Sequence, residues 1–405
     1  MGGGFVVSPK DEIRFHHLQE FISGKHSRAD TAKLLGISER AVSKAARRVR
    51  AQGLRGAIHG NKKRAPANQI DKFTKQRVIS LKKDTYAHFN VRHAQEKLAE
   101  DEGIHISYST LLRWCKAESL TKFKQKRRRK LRKLRERYSQ EGYFMMMDGS
   151  PHAWFGNEKS CLISIIDDAT SDIPAAEFWP TETTAGCLSV LKILIEKKGR
   201  PAFIYVDKAG IYGGQKRQEF SHFETACTQL GISLLYANSP QAKGRIERSY
   251  RTFQDRLVAE MELAKISTIG QANEFLRNFL ETHWKKKFTV PATDSVIWYR
   301  SLEEHQDAKQ ICSIKITREI RNDSAISFEN VIYVLSAKKG EPLLAARVAE
   351  VRIYPDNTWA VYAEGRKMEL YVASGNRQPD PRYRHKIRPG NLDVFIKPKE
   401  NLKAG

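Results

Sequence analysis

Between residues 142 and 263, short apolar runs alternate with longer segments in which apolar residues recur at helical spacing. The strand-like runs cover residues 143–147, 160–166, 174–179, 202–206 and 232–236. The helical segments cover residues 183–198, 215–230 and 243–263. Three consecutive strand signals predict an antiparallel meander, and the helices and strands that follow predict a mixed sheet flanked by helices.

Three carboxylates lie at distinct places in this pattern. Asp148 closes the first apolar run, Asp207 follows the fourth, and Glu247 lies in the last helical segment. Adjacent central strands would bring Asp148 and Asp207 together, while the helix presents Glu247 from the side. Carboxylates at that range repel one another unless cations are shared between them, so the sequence predicts a Mg²⁺ or Mn²⁺ site. Taken singly, each acid has a simpler explanation than metal binding, as a turn residue, a cap or a member of a surface ion pair.

The charge balance indicates a polyanionic partner. Lysine and arginine number 71 against 46 acidic residues, which gives a formal net charge of +25. Each phosphate that a basic side chain neutralises releases counterions, so a chain of this charge is expected to bind nucleic acid. The simpler alternative is a ribosomal protein, or a basic protein without a specific partner.

The cysteine pattern and the hydropathy indicate the cellular compartment in which the protein is expected. The five cysteines are scattered and form no Cys-x-x-Cys pair, which indicates reduced thiols rather than a disulfide framework or a zinc cluster. No apolar run approaches the ~20 residues of a membrane span. We therefore expect a soluble, cytoplasmic protein with no membrane partner.

Residues 1–57 carry the pattern of a first helix-turn-helix domain. Apolar stripes predict three short helices, of which Gly36 ends the second and Ser38 caps the third, at residues 39–50. This spacing is typical of DNA-binding helix-turn-helix units. The residues expected to face a DNA major groove are Arg40, Ser43, Lys44 and Arg47. The alternative is a basic helix face that serves solubility alone.

Residues 68–120 repeat this organisation after a linker at residues 54–68, and they predict a second helix-turn-helix domain. Its third helix supplies fewer outward basic residues, and Thr110 and Arg113 are the expected DNA contacts. Residues 121–140 form a basic linker that is expected to follow the DNA backbone without base specificity. The arginines expected to make those contacts are Arg127, Arg128 and Arg129.

The sequence blocks around the three acids resemble those of a known enzyme superfamily. They are Met147-Asp148-Gly, Tyr205-Val-Asp207 and Ser239-Pro-Gln-Ala-Lys-Gly-Arg-Ile-Glu247-Arg. They are similar to the signature blocks of the DDE transposases and integrases of the retroviral-integrase superfamily, and among these to the bacterial insertion-sequence transposases grouped as ISNCY. The resemblance implies an RNase H-like α/β catalytic core at residues 141–300, in which Asp148, Asp207 and Glu247 hold two Mg²⁺ or Mn²⁺ ions.

One spacing departs from the pattern of the superfamily. Thirty-nine residues separate Asp207 from Glu247, more than in many members, and we place the surplus in the glycine-rich segment 210–215. The main rival carboxylate pair is Asp167-Asp168. It follows an apolar run and precedes Ala-Thr-Ser, so we assign it to a turn.

The C-terminal third carries strand signals again. They lie at residues 313–320, 325–335, 346–354 and 359–363, with a hairpin turn at residues 355–358, and they predict a small β-barrel over residues 313–374. By the same resemblance the barrel is expected to be SH3-like. Residues 375–405 are expected to form a basic flexible tail. The predicted fold class is therefore multidomain α+β, with tandem helix-turn-helix modules, an RNase H-like core and a terminal barrel.

The resemblance implies an insertion-sequence transposase that binds double-stranded DNA, both the terminal inverted repeats of its element and the target. One metal ion would activate water or a DNA 3′-hydroxyl, and the other would stabilise the leaving 3′ oxygen. A homo-oligomer, a dimer or larger, would process both element ends at the bacterial nucleoid. Lys243 and Arg251, one helical turn on either side of Glu247, would hold the DNA backbone or pair with Glu247.

Two other functions are compatible with the residues alone. The first is an RNase H-like nuclease or resolvase, and the second is a helix-turn-helix DNA-binding regulator whose core is catalytically silent. Joining to a second duplex separates a transposase from the nuclease, while DNA binding without cleavage identifies the regulator.

Overall fold

The structure, a computed structural model, describes residues 7–58, 69–121, 136–156, 158–207, 221–236, 244–336 and 347–372. The chain divides into two compact units, Met1–Val78 and Ile79–Gly405. The first unit begins with four helices, α1 (Pro9–Ile22), α2 (Arg28–Leu35), α3 (Glu39–Gln52) and α4 (Leu54–Ala57).

The three helices predicted at the N-terminus are present, together with the turn before the third. Gly36 adopts a left-handed φ of 63° that ends α2, and the Ser38 hydroxyl accepts the Ala41 N–H at the start of α3. The apolar face of α3 packs with Leu18 of α1 into one buried cluster. The α3 residues of that cluster are Val42, Ala45, Ala46 and Val49.

The linker predicted from residue 54 begins instead with the short helix α4. Gly56 approaches α3 so closely that a Cβ atom there would meet the Arg48 carbonyl oxygen at 2.2 Å. Because only glycine lacks that atom, Gly56 lets α4 lie against α3. The rest of the linker, residues 59–68, lies outside the described residues.

The second helical module contains α5 (Lys72–Lys83), α6 (Val91–Glu100) and α7 (Tyr108–Ala117). Asn90 caps α6 by accepting the His93 N–H, and Ser107 caps α7 by accepting the Thr110 N–H. α6 and α7 pack against each other within the second compact unit. The module therefore has the number and order of helices that the sequence predicts.

A five-stranded sheet forms the centre of the second unit. Its strands are β1 (Phe144–His152), β2 (Ser160–Asp167), β3 (Ala175–Trp179), β4 (Phe203–Val206) and β5 (Ser233–Tyr236). The spatial order is β3-β2-β1-β4-β5. The predicted antiparallel meander of β1 to β3 is confirmed, and β4 and β5 add to it in parallel, so the sheet is mixed as expected.

Helices cover both faces of this sheet, because alternate strand residues are apolar on both sides. α8 (Thr184–Lys198) and α9 (His222–Gln229) pack on the face that contains Met145, Met147 and Ile204. α10 (Gly244–Leu263) and α11 (Ile269–Phe279) pack on the other face, against Phe144 and Met146. The mixed sheet with helices on both faces is the architecture that the sequence predicts for this region.

The chain after α11 remains helical and then forms short strands. A π-helical segment, Leu280–Trp284, joins α11 to α12 (Lys285–Phe288), and α13 (Ala308–Ile311) precedes the strands. The strands are β6 (Ile314–Glu319), β7 (Ala325–Phe328), β8 (Val331–Leu335), β9 (Val348–Ile353), β10 (Trp359–Ala363), β11 (Arg366–Lys367) and β12 (Leu370–Val372).

The described C-terminal strands do not close into the predicted barrel. They form a four-stranded sheet, β11-β10-β9-β6, and a separate three-stranded sheet, β12-β8-β7. The strand predicted at residues 325–335 is a hairpin, because Glu329 and Asn330 adopt left-handed φ angles of 51° and 61° between β7 and β8. The hairpin turn predicted at residues 355–358 is confirmed. The basic tail at residues 375–405 lies outside the described residues.

Candidate active site

Asp148 lies in the middle of β1, although the sequence predicts that this strand ends there. Beyond Asp148 the strand continues to His152 by pairing with β2, and Asp148 itself is opposite Ser164. β4 ends at Val206, so this part of β1 pairs with β2 alone among the described strands. Pro151, which has no N–H to donate, is tolerated there because no ladder bond is needed on the open side.

Asp207 follows β4 directly, and β4 is the parallel neighbour of β1. β1 and β4 run parallel, with Met146 opposite Tyr205. The pairing ends there, and two residues further along each segment lie Asp148, within β1, and Asp207, just after the end of β4. Met146 and Tyr205 both face α10 and α11, so the alternation of side chains directs both carboxylates to that same face.

Glu247 lies in the first turn of α10, the helix that covers this face. The Tyr250 hydroxyl, one turn later, donates to the backbone carbonyl of Asp148 and accepts a 3.0 Å hydrogen bond from Ser164. Helical side chains lean toward the helix N-terminus, so the Tyr250 ring lies over the turn that contains Glu247. Asp148 and the helix that carries Glu247 are thus on the same face of the sheet, and the Glu247 side chain is exposed.

The donor chemistry of these residues fits a hard divalent cation. Carboxylate oxygens are the preferred ligands of Mg²⁺ and Mn²⁺, and two of them on adjacent strands repel each other until a cation is shared. Within the part of the chain that is described, no three His, Cys, Asp or Glu side chains already stand as a metal-binding group.

The rival pair Asp167-Asp168 forms a turn, as the sequence predicts. Buried Asp167 accepts N–H bonds from Gly142, Ala169 and Thr170. Burial raises the pKa of Asp167 to about 6, although those N–H groups oppose the rise. Asp168 pairs with Arg245 of α10 at 3.2 Å. The pair therefore fixes the β2–β3 turn and the start of α10.

Two curated proteins are similar to this chain over most of its length. The transposase of insertion sequence IS1202 from Streptococcus pneumoniae is 32% identical over 358 residues, covering 78% of this chain and 76% of that protein. The chain belongs to the insertion-sequence transposases. The protein y4bF of Sinorhizobium fredii, which also carries a transposase name, is 29% identical over 378 residues, covering 91% of this chain and 82% of its own. No family model matches the transposase.

Solved structures similar to the transposase include retroviral integrases. The HTLV-2 integrase catalytic core domain in complex with magnesium has 17% identity and a TM-score of 0.29, covering 36% of this chain and 89% of its own. An intasome of simian T-cell lymphotropic virus in complex with the PP2A regulatory subunit B56 gamma has 15% identity and a TM-score of 0.34, covering 67% and 93%.

Glu182 of the transposase is a further carboxylate that lies against Gly149, on the opposite face of β1 from Asp148, and the sequence patterns do not single it out. Its carboxyl carbon lies 2.6 Å from the position a Cβ atom would take on Gly149, the residue after Asp148. Burial raises the pKa of Tyr250 well above its ordinary value, and the charges of Asp148 and Glu182 raise it further. The Tyr250 hydroxyl therefore keeps its proton and remains a donor. The sequence signal that could have indicated Glu182 is Gly149, because a glycine within a strand often marks a place where another group approaches the backbone closely.

The predicted DNA contacts of the transposase lie in different parts of the chain. On α3, Arg40, Lys44 and Arg47 are exposed, and half-buried Ser43 donates to the Glu39 carbonyl. On α7, Arg113 is exposed and Thr110 is half-buried, and Arg251 is exposed on α10. The remaining predicted contacts lie outside the described residues, and they are Arg127, Arg128, Arg129 and Lys243. The glycine-rich segment 210–215 lies outside them as well.

None of the helices in the described ranges combines the length and the apolar character that a membrane crossing requires.

Proposed function

We propose that this transposase binds the terminal inverted repeats of its insertion sequence and catalyses metal-dependent DNA strand cleavage and strand transfer. The observation that supports the proposal is the parallel register of β1 and β4, whose continuation would set Asp207 beside Asp148, under the helix that contains Glu247. Carboxylates on two parallel strands and a covering helix are the arrangement that the RNase H-like interpretation of the sequence requires. Membership of the transposase family supports the same activity.

Asp148, Asp207 and Glu247 are proposed as the ligands of two Mg²⁺ or Mn²⁺ ions. Bound there, the ions would activate water or a 3′-hydroxyl and stabilise the leaving oxygen of a phosphodiester. The protein itself fixes the geometry: Tyr250 holds the Asp148 backbone, and the Ser164 hydroxyl holds Tyr250. These two bonds keep the first carboxylate in place when DNA enters.

Recognition of DNA is proposed for both helical modules. The exposed basic face of α3, with Arg40, Lys44 and Arg47, supports major-groove contacts by a helix-turn-helix unit. Ser43 lies on the same helix and would add a polar contact. In the second module, Thr110 and Arg113 of α7 would contact the same duplex. Specificity then comes from these helices, while the net charge of +25 supplies affinity for phosphate.

The remaining proposed contacts hold the DNA backbone. Arg251 lies one helical turn after Glu247 on α10, so its guanidinium would meet phosphates near the metal ions. Lys243 is proposed for the same role one turn before Glu247. The basic linker would follow the backbone through Arg127, Arg128 and Arg129. Because two element ends must be processed together, a homo-oligomer of two or more chains is proposed, acting at the bacterial nucleoid.

Strand transfer in vitro tests the proposal. A labelled duplex that ends in the element's own terminal repeat is incubated with the transposase, Mg²⁺ and a plasmid target. Joined product is expected from the wild type and not from Asp148→Asn, whereas Glu274→Gln, which removes an exposed charge from α11, is expected to behave as wild type. Cleavage without joining would favour the nuclease or resolvase, and binding without cleavage would favour the regulator.

A further inference from the structure

A buried ion-pair network joins the second helical module to the helix that carries Glu247. Arg256 of α10 binds Glu96 of α6 through two hydrogen bonds, of 2.6 and 3.2 Å. Lys287 of α12 lies 3.0 Å from the same carboxylate and 2.7 Å from Glu100. The Arg256 and Glu96 side chains are only 10% and 18% exposed, so these are interior contacts.

A second set of contacts lies beside the first. His93 of α6 is fully buried, and its Nε2 lies 2.7 Å from Glu260 of α10, which also approaches Lys97 at 3.5 Å. Asn90, at the start of α6, donates to Asp255 of α10. One face of α6, from its N-cap to its last turn, is therefore bonded to a single stretch of α10.

The chemistry of this interface specifies geometry more than it adds stability. Charges removed from water regain their hydration energy only when each meets its partner closely, so a displaced interface leaves buried charge unpaired. A two-bond arginine–carboxylate contact fixes orientation as well as distance. The network thus favours one relative position of α6 and α10.

The two helices carry different functions in the proposed reaction. α10 contains Glu247 and holds Asp148 through Tyr250. α6 packs against α7, whose Arg113 is exposed, and both helices lie in the compact unit Ile79–Gly405 with the five-stranded sheet. A duplex bound by α7 is therefore held at a fixed offset from the carboxylates.

We propose that Arg256 and Glu96 determine which phosphodiester is cut, because they lock the DNA-binding helix α7 to the catalytic helix α10. The inference rests on the proposed function and adds to it a determinant of cleavage position. Arg256 is a positioning residue: it lies nine residues after Glu247 on α10 and acts through that helix.

The test compares Arg256→Ala and the milder Glu96→Gln with a matched control, Arg277→Ala, which removes an exposed arginine from α11. Cleavage of the element-end duplex is mapped at nucleotide resolution, and hydrogen–deuterium exchange of α6 and α10 is measured on the same full-length proteins. Both network variants are expected to lose the single cleavage position and to exchange faster in α6. Arg256→Lys is expected to keep part of the positional preference, and Arg277→Ala all of it.

The two readouts separate the ways in which the proposal can fail. A single unchanged cleavage position in Arg256→Ala and Glu96→Gln, with faster exchange in α6, would overturn the inference, as would unchanged exchange in both variants. If the wild type cuts no duplex, the proposed function fails and the inference falls with it. The exchange data distinguish this outcome from failure of the inference alone. α6 would still exchange faster in the two network variants than in Arg277→Ala, which would show that the ion pairs hold the helix even though no DNA is cut.

Discussion

The hydroxyl of Tyr250 donates a hydrogen bond to the backbone carbonyl of Asp148, and so ties α10 to the centre of β1. The two residues are 102 positions apart in the sequence, and Asp148 is also paired with Ser164 of β2. Ser164 donates to the same hydroxyl from β2 at 3.0 Å. The first carboxylate of the proposed site is therefore held from both a strand and a helix.

Tyr250→Phe removes that tie without removing the ring. The buried Ser164 hydroxyl and Asp148 carbonyl each lose a partner, which is expected to lower the free energy of unfolding by about 1–3 kcal/mol. Strand cleavage is expected to fall by about 10-fold while DNA binding is retained. Denaturant unfolding and cleavage rates measure both effects. Wild-type cleavage by this variant would show that the hydroxyl does not position Asp148.

Glu182→Gln is expected to weaken Mn²⁺ binding by about 2-fold, because the neutral side chain no longer adds negative charge across the sheet from Asp148. Calorimetric titration with Mn²⁺ measures this directly. Gly149→Ala is expected to act in the same direction, since its Cβ atom would displace the Glu182 carboxyl. The stability cost of that change is expected to be small, because the displaced group is the end of a flexible side chain.

Gly270→Ala is the matched control for Gly149→Ala. Gly270 lies in α11, and a Cβ atom there would meet nothing within 4 Å. Alanine is the better helix former, so this variant is expected to be as stable as the wild type or more stable, with unchanged Mn²⁺ affinity. Equal Mn²⁺ affinities for Gly149→Ala, Glu182→Gln and the wild type would show that the Glu182 charge does not affect the proposed site.

The pH dependence of stability follows from Glu96. Burial opposes the ionisation of Glu96, but hydrogen bonds from Arg256 and Lys287 outweigh it and lower its pKa to about 2. A carboxyl whose folded pKa is depressed stabilises the fold above its unfolded pKa, and that contribution disappears as the pH falls from about 4.5 to about 2. The stability advantage of the wild type over Glu96→Gln should therefore be full at neutral pH and shrink in this acid range. An advantage that stays constant on acidification would show that the ion pair does not form in solution.

The double variant Arg40→Ala, Arg47→Ala tests the first module. Removing both side chains is expected to weaken binding to the terminal repeat and to lower the slope of log Kd against log salt concentration by about one for each phosphate that is no longer neutralised. Titrations at several salt concentrations, on the terminal repeat and on an unrelated duplex, measure both quantities. Lys33→Ala, on the exposed surface of α2, is the control and should leave both unchanged.

The order of strands and helices in the catalytic region follows from local apolar patterns, and the structure agrees with nearly every segment. The position at which β1 ends could not be predicted from these local patterns. Gly149 and Pro151 indicate a turn, yet pairing with β2 extends the strand past Asp148 to His152. Tertiary pairing overrides local propensity at this point.

Long-range contacts between charged residues are the main feature that local patterns miss. Glu96 and Arg256 each look like members of a solvated helix face, and nothing in the spacing of either helix indicates that they are partners. The C-terminal strands are similarly predictable one by one, but the way they associate into two sheets depends on pairing that no local signal encodes.

Cleavage of an element-end duplex in Mg²⁺ by Asp148→Asn, Asp207→Asn and Glu247→Gln tests the central claim most directly. If the three carboxylates form one metal site, each variant should cut at least about a thousandfold more slowly than the wild type and still bind the duplex. Wild-type cleavage by any one of the three would contradict the claim.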